Sequence, residues 1–72
     1  MQRFGEKLRT LRKRHGMTLT ETAAALGYNA HAFISMLETG KKQPTGELVL
    51  KVARLFNVTT DQLLKDELEV DT

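Results

Sequence analysis

Helix stops divide this chain into pieces too short to stand alone. Gly16, Gly27, Gly40 and Asn57 each follow a run with helical periodicity. Glycine and asparagine close helices because they tolerate positive φ. Between the stops no run exceeds about three turns, a length at which isolated helices are marginal in water. A chain punctuated in this way folds only by packing its helices together. Its 72 residues contain no cysteine, so no disulfide can substitute for that packing.

The apolar positions predict five helices and an all-α, compact bundle. The first runs from Arg3 to Arg14, with Phe4, Leu8 and Leu11 on one stripe and a basic outer face. The second opens at Thr18, which has capping-box spacing with Glu21, and its body runs from Leu19 to Leu26. The third starts after Asn29, read as its N-cap, and ends at Glu38 or Thr39 with Ile34 and Leu37 inward. The fourth, from Thr45 to Phe56, turns Val49, Val52, Ala53 and Phe56 to one side. The fifth opens with the Thr59/Gln62 capping box and carries Leu63, Leu64 and Leu68. One domain over residues 1–69 is expected, with 70–72 fraying as an acidic tail.

Charge is uneven along the chain. Up to Thr60 there are ten lysines and arginines against four acids; from Asp61 onward one lysine faces five acids. A polyanion would be drawn to the first part and repelled by the second. No apolar run is long enough to cross a bilayer and no signal-peptide core is visible, so a soluble cytoplasmic protein without membrane association is expected. No nucleophile–base arrangement or Gly-rich phosphate loop is present, which argues against an enzyme. No cofactor, metal or small-molecule ligand is indicated: His31 has only His15 as an imidazole that could share a metal.

The second and third helices, joined through Gly27, read as a helix-turn-helix. Around them the residues Leu8-Arg9-x-Leu11-Arg12, Gly16-Met17-Thr18, Ala23-x-x-Leu26-Gly27, Ile34-Ser35-x-Leu37-Glu38-x-Gly40-Lys41-x-x-Pro44 and Ala53-x-x-Phe56-x-Val58-Thr59-x-Asp61-x-Leu63-Leu64 occur in order. In this the chain resembles the Cro and repressor (XRE-type) helix-turn-helix family. The resemblance implies a lambda-repressor-like bundle, double-stranded operator DNA as ligand, a homodimer, and a salt bridge between Arg12 and Glu38. It departs from the family pattern in three places. Leu19 stands where relatives often carry a phosphate-gripping Gln, Thr22 replaces the usual core Leu, and the turn over 27–30 is one residue longer.

On a helical wheel the face opposite Ile34 and Leu37 shows His31, Ala32, Ser35 and Met36, with Ala30 and Phe33 at its edges and Asn29 nearby. These are the base-facing candidates. None is the Arg, Lys or Gln that forks onto a purine, so readout leans on thymine methyl contacts and DNA shape. Phosphate candidates are Thr18, Arg14, Lys41, Lys42 and Tyr28, the last equally readable as a packing residue. Leu48 and Leu55, with Leu63 and Val70, form apolar stripes beyond one core face and are dimer candidates, unless a central fourth helix buries them. Two other readings stay open: an adaptor binding protein through the apolar face of the third helix, and the DNA-targeting domain of a longer protein.

Overall fold

Local capping chemistry sets nearly every boundary in this fold. The computed structural model describes residues 2–70, which form five helices: α1 (Phe4–Arg14), α2 (Leu19–Ala25), α3 (His31–Glu38), α4 (Gly46–Phe56) and α5 (Thr60–Leu64). Among the described residues there is no strand. Thr18 and Thr59 each form a full capping box, with Glu21 and Gln62 as reciprocal partners, and the Thr45 hydroxyl accepts from the Leu48 N–H. Helix α3 begins one residue later than expected. Ala30, not Asn29, is its N-cap, and it supplies no side-chain cap.

The helix ends share one hydrogen-bond scheme. Met17, Tyr28 and Lys41 N–H donate to the Arg12, Ala23 and Met36 carbonyls at 2.9, 2.8 and 2.9 Å. The residues before them, Gly16, Gly27 and Gly40, have φ of 66°, 88° and 79°. This is the Schellman closure, in which a left-handed residue lets two orphan carbonyls find donors. Asn57 does the same for α4 at φ 56°, with Val58 N–H donating to Ala53 at 3.0 Å.

The core gathers Phe4, Leu8 and Leu11 of α1, Ala23 of α2, Ile34 and Leu37 of α3, and five residues of α4. Thr22 is fully buried within it, and its hydroxyl donates to the Thr18 carbonyl at 2.9 Å, so the polar group is satisfied. Helix α4 buries Val49, Val52, Ala53 and Phe56 and, from its second stripe, Leu48. Leu48, Leu63 and Val70, read from the sequence as dimer candidates, are core residues of one chain instead. Leu55 is half-buried against the same core. The large apolar side chains left exposed are Leu50, Leu64 and Leu68, at 47%, 38% and 37% exposure.

The end of the chain straps α1. The fifth helix stops at Leu64, so Leu68 lies beyond it in a turn. Lys7, on the flank of the α1 stripe, is 1% exposed, and its ammonium donates to the Gln62 and Lys65 carbonyls at 2.5 and 2.6 Å. A buried cation needs such partners, and the last carbonyls of α5 carry the negative end of its dipole. The Asp66 carboxylate accepts from the Gln2 and Arg3 N–H groups at 2.9 and 3.0 Å, fastening the residues just ahead of the first helix to a position 63 residues on in sequence. Arg3 donates to both oxygens of Glu69, at 2.9 Å each, and to the Asp66 carbonyl. Of the tail expected to fray, Val70 is buried and its carbonyl accepts from Arg14 at 3.0 Å; Asp71 and Thr72 lie outside the described residues.

This strap should be acid-sensitive. The Arg3 and Gln2 backbone donors hold the Asp66 carboxyl below its ordinary range, and the Arg3 guanidinium does so for Glu69. A carboxylate depressed in the fold stabilises it above the unfolded value of about 4, and that stability fades as pH falls through the lower folded value. Thermal unfolding followed from pH 6 to pH 2 is expected to show a falling Tm below about pH 4. Asp66→Asn is expected to lower Tm at neutral pH and flatten that acid limb. An unchanged limb would mean that Asp66 does not hold the strap.

Candidate nucleic-acid interface

Helices α2 and α3 are joined by residues 26–30, with Gly27 in the left-handed conformation at the bend. Both α2 and α1 hold α3 in place. The Arg12 guanidinium meets Glu38 in a two-pronged pair, Nε to Oε2 at 2.6 Å and Nη2 to Oε1 at 3.2 Å. A third bond runs from Arg12 Nη1 to the Met17 carbonyl at 2.9 Å, tying in the start of the α2 connection. Their side chains are only 13% and 6% exposed. The hydrogen bonds to Glu38 raise the Arg12 guanidinium above its ordinary range. Gly5 completes the seat: a Cβ there would come within 2.7 Å of the Glu38 carbonyl oxygen and closer still to that of Leu37. Nothing in the sequence pattern marks Gly5, because its reason is a backbone 32 residues away.

Of the base-facing candidates, Asn29 and Ala30 precede α3 and are exposed, as are His31 and Ala32 on it, while Ser35 and Met36 are half-buried. Because Ala30 takes the N-cap, the Asn29 amide is not engaged in capping. At one edge Phe33 packs on Tyr28, ring centroids 4.7 Å apart and planes tilted by 46°. Tyr28 is thus first a packing residue of the turn. The Lys42 ammonium lies 5.7 Å from the Phe33 ring centre, and that of Lys51 lies 5.6 Å from the Tyr28 ring centre. Lys51 was missed by sequence reasoning, since its place beside the turn depends on how α4 crosses α2.

The phosphate candidates divide. Thr18, at the start of α2, and Lys41 and Lys42, in the loop after Gly40, are exposed. The Thr18 oxygen accepts from Glu21 N–H, which leaves its hydroxyl proton to donate. Arg14 is exposed and donates one guanidinium N–H to the Val70 carbonyl at 3.0 Å. His15 stacks on Phe56 at 5.0 Å and serves α1–α4 packing. Among the described residues no cluster of metal-ligating side chains occurs, and no helix is long and apolar enough to cross a membrane.

A helix-turn-helix family model matches residues 8–63. The chain belongs to the XRE-type helix-turn-helix family. It is a DNA-binding domain of the transcriptional-regulator class. Its backbone matches the N-terminal DNA-binding domain of SinR from Bacillus subtilis with a TM-score of 0.81 at 25% identity, over 93% of this chain and 97% of that one. It is 38% identical over 64 residues to the HTH-type transcriptional activator BcrR of Enterococcus faecalis, which is 89% of this chain and 31% of that protein. The chain therefore spans about a third of that activator's length. An HTH-type transcriptional regulator of Archaeoglobus fulgidus is 35% identical over 57 residues, 79% of this chain and 80% of that protein.

Within this helix-turn-helix domain the Arg12–Glu38 pair should behave as a coupled unit. Arg12→Ala leaves a nearly buried carboxylate unpaired and is expected to cost about 2–4 kcal/mol of stability. Arg12→Ala combined with Glu38→Ala is expected to cost less than the sum of the two single changes. Denaturant unfolding of the four proteins measures this, and strict additivity would show that the pair contributes no coupling.

Proposed function

We propose that the chain binds an operator by laying α3 in the major groove of double-stranded DNA, as a homodimer, in the cytoplasm. The observation that carries this reading is the exposure of polar and cationic groups on the elements next to α3. Thr18 at the start of α2 and Lys41 and Lys42 in the loop after Gly40 are exposed, and the Lys42 ammonium lies 5.7 Å from the Phe33 ring centre. Such groups can grip phosphates while α3 reaches base edges. Asn29, Ala30, His31, Ala32, Ser35 and Met36 are the proposed base-facing set. Repression or control by operator occupancy is the proposed mode, because it requires nothing of this domain beyond binding. A protein adaptor using the same face is not favoured by the family.

The dimer reading moves to a different surface. Leu50 and Leu64 line an open, mostly apolar groove of about 410 Å³ with Pro44, Gly46, Val49 and Thr60. Its Pro44 end adjoins the loop carrying Lys41 and Lys42. A two-fold contact there would set two α3 helices side by side, as half-sites about 34 Å apart require. A single α3 with few polar readers benefits from such pairing.

Two measurements test the reading. Lys41→Ala is expected to weaken binding to all DNA sequences and to reduce the slope of log affinity against log salt by about one. Affinity that stays flat as salt rises would remove the electrostatic contact with DNA. Sedimentation of Leu50→Glu and Leu64→Glu is expected to give folded monomers that bind an inverted-repeat site more weakly than the wild type. Leu48→Glu is expected to unfold the domain, since that side chain is 1% exposed. A wild-type monomer at high micromolar concentration, selecting a site without an inverted repeat, would exclude the dimer.

A further inference from the structure

Two free charges of opposite sign stand beside apolar surface in this domain. Every other described carboxylate has a hydrogen bond or an ion pair, and Glu67 has neither. It lies in the turn after α5, next to Leu68, which is 37% exposed. The strap pins this turn on both sides: Asp66 accepts from the Gln2 and Arg3 N–H groups, Arg3 donates to Glu69, and Val70 is buried. A segment held in this way loses little freedom when it docks. Elsewhere, an open, mostly apolar groove of about 460 Å³ lies between the end of α2 and α4, with Ala24, Ala25, Leu55, Lys51 and Arg54 in its lining. The Lys51 ammonium is engaged by Glu47 at 3.7 Å and lies 5.6 Å from the Tyr28 ring centre. Arg54 is exposed and has no ion pair or hydrogen bond among the described residues.

We propose that the Glu67–Leu68 turn of one copy docks in the Arg54 groove of a second copy. Leu68 covers the apolar surface of Ala24, Ala25 and Leu55, and Glu67 pairs with Arg54. The two halves match in charge and in apolarity, and both lie on this chain. A copy does not fill its own groove, because the strap fastens its turn to α1 while the groove lies between α2 and α4. The contact is separate from the groove at Leu50 and Leu64, with which it shares no residue. One leucine and one ion pair bury little area, so the contact is weak in free solution. It acts where copies are already held close, as on neighbouring sites of one DNA, because effective concentrations there reach the millimolar range. Occupancy of one site then favours occupancy of the next. That consequence rests on the operator binding proposed above; the contact itself does not.

The test follows amide chemical shifts of the full chain, without DNA, from micromolar to millimolar concentration. Leu50→Glu is present throughout to remove the proposed two-fold contact. Signals of residues 24–27 and 51–55 are expected to shift together with those of 66–69, with a midpoint at about 1 mM. Arg54→Glu and Glu67→Arg are each expected to abolish these shifts. Both positions are exposed, so neither reversal disturbs the core. Mixed with each other, the two variants are expected to regain the shifts, because each then offers the charge that the other lacks. Leu68→Ala is expected to move the midpoint to severalfold higher concentration. Shifts that do not depend on concentration overturn the proposal. So do shifts that survive either charge reversal, and a mixture of the two variants that stays silent. None of these failures touches the DNA reading or the contact at Leu50 and Leu64, since neither enters the measurement. On duplexes carrying two selected sites at varied spacing, binding of the second copy is expected to be raised severalfold at one spacing or more, and Arg54→Glu is expected to remove that gain. Shifts without such a gain at any spacing overturn the consequence for DNA and keep the contact.

Discussion

The seat of α3 on α1 is the contact on which the proposed DNA-binding face depends. Arg12 and Glu38 form a nearly buried, two-pronged pair, and Gly5 brings the first helix onto the last carbonyls of α3. An eight-residue helix has little stability of its own. Clamped at its C-terminal end, α3 keeps one orientation, and the Tyr28–Phe33 stack steadies the end nearer the turn. The proposed reading face is therefore the exposed side of a rigid element, which a site of defined shape requires.

Charge is sorted by the same architecture. The sequence places most cations early and most acids late, and the fold brings many of the two together. Arg3, Lys7 and Arg14 of the first helix are answered by the carbonyls and carboxylates of residues 62–70. Arg12 is answered by Glu38. Lys41 and Lys42 remain exposed beside α3, with no ion pair of their own among the described residues. A modest net charge of +2 thus coexists with a locally basic edge where phosphates would approach.

Features that depend on neighbours in sequence were legible before the structure. The Thr18 and Thr59 capping boxes, the left-handed stops at Gly16, Gly27, Gly40 and Asn57, and the inward pairing of Ile34 with Leu37 follow from short-range rules. The Arg12–Glu38 contact came only from the family resemblance. Features that depend on what lies across the bundle were not legible. A helical wheel finds two apolar stripes on α4 but cannot count its neighbours, so Leu48, Leu63 and Val70 looked like surplus and are core. Lys7 looked like part of a basic outer face, and its partners lie 55 and 58 positions away. Lys51 and Gly5 belong to the same class, each defined by a backbone or ring that no local pattern reveals.

The strap also orders events in the life of the chain. The first helix has no side-chain cap; the N–H groups of Gln2 and Arg3, just ahead of it, are met by Asp66. During synthesis α1 leaves the ribosome long before that carboxylate exists. Helices α1 to α4 can associate in turn, since their contacts need only earlier residues. The approach to α1 stays open to water until residue 66 has emerged. Closure at Asp66 is then a loop closure over 63 positions, a slow kind of contact to form. A nascent domain halted short of Asp66 would therefore carry α3 on a first helix whose approach is still unfastened.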